Sequence, residues 1–180
     1  MINDCLDSDT PFGIVLIQES VMSQVGCSAR IDSVVKAHDD GRKDIIVSGV
    51  DRIRVLDVTE DKSYLTGDVE VLVDDAKDID VQLRERLIAQ HIKLLELAGR
   101  MPAPTNYSNR TFLSFFIAHN AGLTLEQKQD VLELEGEADR LAYLVGHLEQ
   151  FLPLVEEVEA IRMKVSLNGH FKDFPPESSE

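Results

Sequence analysis

Tryptophan is absent, cysteine occurs twice, and aromatic residues make up only 6% of the 180-residue chain. Cys5 and Cys27 form no CxxC pair, so neither a disulfide framework nor a thiolate zinc site is signalled, and a reducing compartment fits. Basic residues are scarce: 18 Lys and Arg stand against 33 acids, a net charge of −15. Residues 1–76 hold 16 acids and 7 bases, and the remainder 17 and 11. Neither half is basic, the field repels polyanions, and nucleic acid is not an expected partner. No apolar run approaches the ~18 residues of a spanning helix, and Met1-Ile-Asn-Asp-Cys-Leu-Asp7 lacks the charged-then-apolar pattern of a leader. A cytoplasmic location without membrane contact is expected.

Catalytic signatures are missing too. There is no GxxxxGK[ST] phosphate cradle, no HExxH and no GxSxG elbow. His38, His91, His119, His147 and His170 are scattered without an i, i+4 pair, which favours solvated or core histidines over metal ligands. Asp39-Asp40, Asp74-Asp75 and Glu156-Glu157 read as solvated acidic faces, because a general acid needs a perturbed environment rather than abundant charge. Lys164 and Ser166 lie too close in sequence to make a Ser-Lys pair. Neither enzymatic activity, a cofactor nor a metal is expected.

What is present is a chain that should fold, 43% hydrophobic and 28% charged, with two hydrophobic periods. Up to about Asp74 the period is two. Phe12 to Gln18 reads as one strand covered on both faces, and Gly26 to Ala37 as a half-buried strand with Cys27, Ala29 and Ile31 on one side. His38-Asp-Asp-Gly-Arg42 predicts a hairpin turn. Asp44–Ser48 and Arg52–Val58 follow as two strands broken at Gly49-Val50-Asp51, and Tyr64 to Val73 makes a fifth.

From Asp80 the period is near 3.6. Val81, Leu83, Leu87, Ile88, Ile92, Leu94, Leu95 and Ala98 form one stripe ending at Gly99. A second, very apolar helix is predicted over about 110–120, and a third after the N-cap Thr124. The last runs from about Glu137 to Val165, kinked or split at Pro153. These boundaries define a β-rich lobe over 1–76, a helical lobe over 77–170 and a disordered tail over 171–180. Between helices, the loop from Met101 through Pro102, Pro104 and Tyr107, with Phe112 just beyond, has a composition that adapts to apolar partners. Those five residues are the candidate peptide-binding set, although the Phe112, Phe115 and Phe116 cluster suits a core better than a ligand box.

Order and spacing then match a known family. Phe12-Gly-Ile-Val15, Gly26-Cys-Ser-Ala-Arg-Ile31, Asp40-Gly-Arg42, Asp44-Ile-Ile-Val-Ser-Gly49, Arg52-Ile-Arg-Val55, Tyr64-Leu65, Phe112-Leu-Ser-Phe-Phe-Ile117, Leu123–Leu132 and Asp139-Arg-Leu141 resemble the Lon protease N-terminal (LON substrate-binding) domain over about residues 1–150. The resemblance implies an α+β fold, an N-terminal antiparallel PUA-like β pseudo-barrel followed by a helical bundle lobe. It also implies a stand-alone, non-catalytic module, without the nucleotide-binding and serine-lysine peptidase domains, that selects unfolded or degron-bearing proteins, with a protease or chaperone as a further partner. The family's two opening strands, rich in Phe, Pro and Leu, have no counterpart here. That departure implies a start internal to a longer gene and an apolar sheet edge left unpaired. A competing expectation is a regulatory protein that docks one partner, such as a protease machine, through Glu149, Glu156, Glu157 and Glu159 of its last helix.

Overall fold

The computed structural model describes residues 1–77, 79–103, 105–108 and 110–169. The expected 171–180 tail lies outside the described residues. The architecture is mixed α+β, and the chain divides into two compact units: Met1–Asp75 with Leu125–Glu135, and Ala76–Thr124 with the chain from Gly136 onward. No described helix is long and apolar enough to cross a membrane.

The first unit contains helix α1 (Ile2–Ser8) and strands β1 (Phe12–Ile14), β2 (Ile17–Gln18), β3 (Val21–Met22), β4 (Val25–Ala37), β5 (Lys43–Thr59) and β6 (Thr66–Leu72). Four strands form an antiparallel sheet in the order β1-β4-β5-β6, and β2 pairs with β3 separately. Among the described residues β1 and β6 do not pair, so the sheet is open rather than a closed barrel. Edge strand β6 leaves Val69 and Val71 about half-exposed.

The Asp-Gly turn falls where expected. β4 ends at Ala37, β5 begins at Lys43, and Gly41 takes φ +87°, which glycine adopts without a Cβ penalty. Two strand expectations need correction. Phe12 to Gln18 is not one doubly covered strand: β1 pairs with β4, the chain then leaves the sheet, and β2 and β3 form a hairpin in which Ile17 is 59% exposed. The two turn residues, Glu19 and Ser20, both have positive φ, the geometry of a tight hairpin turn without its usual Asn-Gly signal. Nor does Gly49-Val50-Asp51 break a strand. β5 runs through it as a bulge, Cys27 pairing with Arg52 and Ala29 with Gly49. The Ser28 hydroxyl accepts the displaced Asp51 N–H at 3.0 Å, so the extra residue leaves no orphan donor.

Helix α5 (Leu125–Glu133) belongs to this unit and packs against β4. Gln129 donates to the Val25 carbonyl at 2.9 Å, and Gln18 donates to Glu126 at 2.6 Å. The main anchor is Arg52, 5% exposed. Its guanidinium donates to the carbonyls of Leu132 at 2.7 Å, Leu134 at 3.1 Å and Glu135 at 3.4 Å, and meets Asp74 at 2.9 Å. Carbonyls at a helix C-terminus have no intrahelical donor, and a cation there complements the dipole. The apolar core beside this anchor is small, comprising Val25, Ala29, Ile53 and Val131.

The second unit contains α2 (Val81–Leu97), α3 (Thr105–Ser108), α4 (Leu113–Ala118) and α6 (Glu137–Gly169). Asp80 caps α2 by accepting from Gln82 N–H at 2.8 Å. Gly99 ends it at φ +71°, with Arg100 N–H reaching back to Leu95 O at 2.8 Å, the hydrogen bond of a left-handed C-terminal cap. Leu87, Leu113, Ile117, Leu141, Leu144 and Leu148 fill the core and are fully buried. Of the two expected outcomes at Pro153, the split does not occur, since α6 runs through it. Pro153 and Glu149 are both exposed, so the Glu149 carbonyl that lacks a donor lies on the solvent side, where the loss is tolerable.

A polar knot sits inside this core. Glu137 and Arg140 are both fully buried, with Arg140 Nη2 3.2 Å from Glu137 Oε2. Glu137 also accepts from the Ser114 N–H at 2.9 Å and the Ser114 hydroxyl at 2.5 Å. Ser114 lies in the first turn of α4, so a carboxylate from α6 takes up one of the free N–H groups that start this short helix. Arg140 further lies 4.4 Å from the Phe115 ring centroid and 5.9 Å from that of Phe112.

Candidate functional site

The five candidate residues are not gathered in one place. Met101 is 96% exposed, the most exposed large hydrophobic side chain described. Pro102 is half-buried, and Pro104 lies outside the described residues. Tyr107 is buried, 3% exposed, in a three-ring cluster with His91 and Phe116 at centroid distances of 5.8 and 5.7 Å. Phe112 is half-buried and belongs to a different cluster, 6.5 Å from Phe115. Tyr107 therefore contributes mainly to packing, and Met101 is the member that solvent reaches.

Tyr107 does form one wall of a groove of about 360 Å³, with Val81, Arg84, Ile88, Ile92 and Ser108. The 3.6-residue period that builds α2 explains why a groove forms there. Leu87, His91 and Leu94 turn into the core, whereas Val81, Ile88 and Ile92 recur at i, i+7 and i+11 on another face. A sequence that reads as one broad apolar stripe thus carries two faces, and only one is fully buried. Arg84 fastens the far wall by donating to the carbonyls of Tyr107 at 3.2 Å and Arg110 at 3.1 Å. The groove is in the size range of small ligand sites, and its polar lining comprises Arg84, the exposed Glu85 and Ser108. It can seat apolar side chains beside the Arg84 guanidinium and the Glu85 carboxylate. Val81, Arg84, Ile88 and Ile92 were not among the sequence candidates. The available signal was the unusual width of the stripe on α2.

His91 supports the groove from behind. Its Nδ1 shares a 2.9 Å hydrogen bond with the Tyr107 hydroxyl, its Nε2 has no hydrogen-bond partner among the described residues, and burial holds the imidazole below its ordinary 6.5. Because the folded protein disfavours the proton that the unfolded chain accepts, stability is full above about pH 6.5 and falls as the pH drops toward the lowered value. Urea midpoints measured by circular dichroism between about pH 7.5 and pH 5 should fall in the parent. They should fall less steeply in His91→Phe, by up to about 1.4 kcal/mol per pH unit. Equal slopes would show that His91 does not drive the dependence.

The acids of α6 are largely engaged within the unit. Glu149 pairs with Arg86, Glu156 with Lys93 and Glu159 with Arg162.

The fold, an open antiparallel sheet and a helical unit that carries a groove, is placed by comparison with known proteins. The family model of the ATP-dependent protease La (LON) substrate-binding domain matches residues 1–150, and the chain belongs to that family. It is 27% identical over 154 residues to Lon protease 2 of Herpetosiphon aurantiacus, covering 81% of this chain and 19% of that protein. It is 29% identical over 158 residues to the Lon protease of Lawsonia intracellularis, covering 83% and 18%. The chain thus spans about a fifth of the length of the curated relatives it matches. In fold it is similar to the Lon N-terminal domain protein of Xanthomonas campestris, with a TM-score of 0.62, 20% identity and coverage of 81% of this chain and 80% of that one. The N-terminal domain of the Mycobacterium avium complex Lon protease superposes with a TM-score of 0.55 at 17% identity, covering 76% and 77%.

Proposed function

We propose that this protein is a non-enzymatic, cytoplasmic recruiter of unfolded or degron-bearing polypeptides, which it passes to a protease or chaperone partner. The observation that carries this reading is the apolar surface of the helical unit. Met101 is almost wholly exposed, and Val81, Ile88 and Ile92 line an open groove on α2. A substrate-binding family needs such a surface, because unfolded chains are distinguished from folded ones by accessible apolar side chains. The competing reading, docking through the acids of α6, has less support, since three of its four carboxylates already pair within the chain.

Fluorescence anisotropy of a labelled, permanently unfolded polypeptide tests the proposal. Saturable binding is expected to persist from low salt to about 0.15 M, where exposed charges further apart than about 8 Å are screened. Met101→Ser and Ile88→Ser should each weaken it on the order of tenfold, the effect of one lost apolar contact. Unchanged affinity in both variants would move the site elsewhere, and binding abolished by salt would favour an electrostatic partner.

A further inference from the structure

The β6 edge of the four-stranded sheet is open and lacks the usual guards. β6 pairs with β5 on one side, and among the described residues no strand lies on the other. A free edge offers a row of backbone N–H and C=O groups to any extended chain, and folded proteins blunt it with Pro, Lys, a bulge or a very short strand. β6 reads Thr66-Gly-Asp-Val-Glu-Val-Leu72, seven residues with neither Pro nor Lys. The register shift beside it, between Val55 and Asp57, falls on β5. Its only charges are Asp68 and Glu70.

Side chains alternate along a strand, so Val69 and Val71 share one face and Asp68 and Glu70 the other. Val71 lies opposite Ile53, which is 3% exposed, yet is itself 55% exposed, and Val69, opposite Val55, is 45% exposed. Apolar packing therefore stops one strand short. On the other face Asp68 lies opposite Asp57, a like-charged cross-strand pair that destabilises, and among the described residues it makes no ion pair. Glu70 meets Arg54 of β5 at 3.1 Å and stays 54% exposed. A strand laid beside β6 would set apolar side chains against Val69 and Val71, and basic ones against Asp68 and Glu70. A second copy fails that requirement, because β6 against β6 brings acid to acid in a chain of net charge −15. We infer that β6 accepts, as a fifth strand, an extended polypeptide segment in which apolar residues alternate with Lys or Arg. Backbone hydrogen bonds supply the affinity and the alternation supplies the selection. This surface lies in the strand-rich unit and is independent of the groove on α2.

Fluorescence anisotropy of a labelled peptide of alternating Lys and Val, as long as β6, titrated with the full chain tests the inference. Saturable binding is expected, with slowed amide exchange in β6 as its edge N–H groups gain acceptors. A peptide of the same composition, with its lysines and valines in two blocks, carries equal charge and should bind about tenfold more weakly. Asp68→Lys should weaken the alternating peptide on the order of tenfold, by turning a cross-strand attraction into a repulsion. Because Asp68 is exposed and opposes Asp57, that variant should keep or exceed the parent's melting temperature. Ile88→Ser, in the groove on α2, should leave this binding unchanged. No binding, equal affinity for the block peptide, unaltered exchange in β6, indifference to Asp68→Lys, or loss of binding in Ile88→Ser would each overturn the inference.

Discussion

Replacing Arg52 with alanine is expected to destabilise the strand-rich unit by about 3–5 kcal/mol, the range for losing one member of a buried ion pair. Domains are stable by only about 5–15 kcal/mol in total, and this unit has little apolar burial to offset the loss. Its buried hydrophobic side chains among the described residues are Val25, Ala29, Ile53 and Val131. The substitution also strips donors from the carbonyls of Leu132, Leu134 and Glu135, so α5 loses both its C-terminal partner and its tie to β5. Arg52→Lys separates charge from geometry. An ammonium can meet Asp74, but it lacks the planar fork that spans three carbonyls and a carboxylate at once, so recovery should be partial. Urea denaturation followed by circular dichroism gives the magnitude, and amide exchange in β4, β5 and α5 gives the location. A midpoint equal to the parent's in Arg52→Ala would show that the anchor is dispensable.

Such an anchor is hard to see in a sequence. Arg52 sits in a strand that alternates Arg-Ile-Arg-Val, where period-two logic puts Ile53 inside and both arginines in solvent. Arg54 roughly obeys, being half-buried, while Arg52 is buried because carbonyls distant in sequence converge on it. Features governed by local chemistry were legible. The Asp40-Gly41 turn, the Gly99 stop and the helical periods follow from φ preferences and i, i+4 geometry. Features decided by tertiary context were not. Glu19-Ser20 turns a hairpin without the usual residues, Ser28 converts an apparent strand break into a bulge, and solvent beside Pro153 lets α6 continue. The candidate site divides in the same way. Composition drew attention to the Met101–Tyr107 loop, but composition cannot show that Tyr107 points at His91 while Met101 points outward. That α2 has two apolar faces depends on what packs against each.

In the helical unit, Glu137→Gln should cost about 3–5 kcal/mol despite its near-identical shape. One amide oxygen can still accept the Ser114 N–H. The amide nitrogen then takes the place of Oε2, facing the Ser114 hydroxyl, Arg140 Nε at 3.3 Å and Arg140 Nη2 at 3.2 Å. The Arg140 N–H donors would confront an amide donor, and Arg140 would lose a carboxylate that lies against it in a fully buried position. Arg140→Met alone leaves the carboxylate buried, although both Ser114 bonds still satisfy it, so its cost should be smaller. The thioether can also pack against Phe112 and Phe115. Combining the two substitutions removes both charges and relieves the donor conflict, and the double variant should be more stable than Glu137→Gln alone. A double-mutant cycle from urea midpoints measures this coupling. Strictly additive losses would mean that Glu137 and Arg140 are stabilised independently, leaving α4 to be held by apolar contacts rather than by the carboxylate at its first turn.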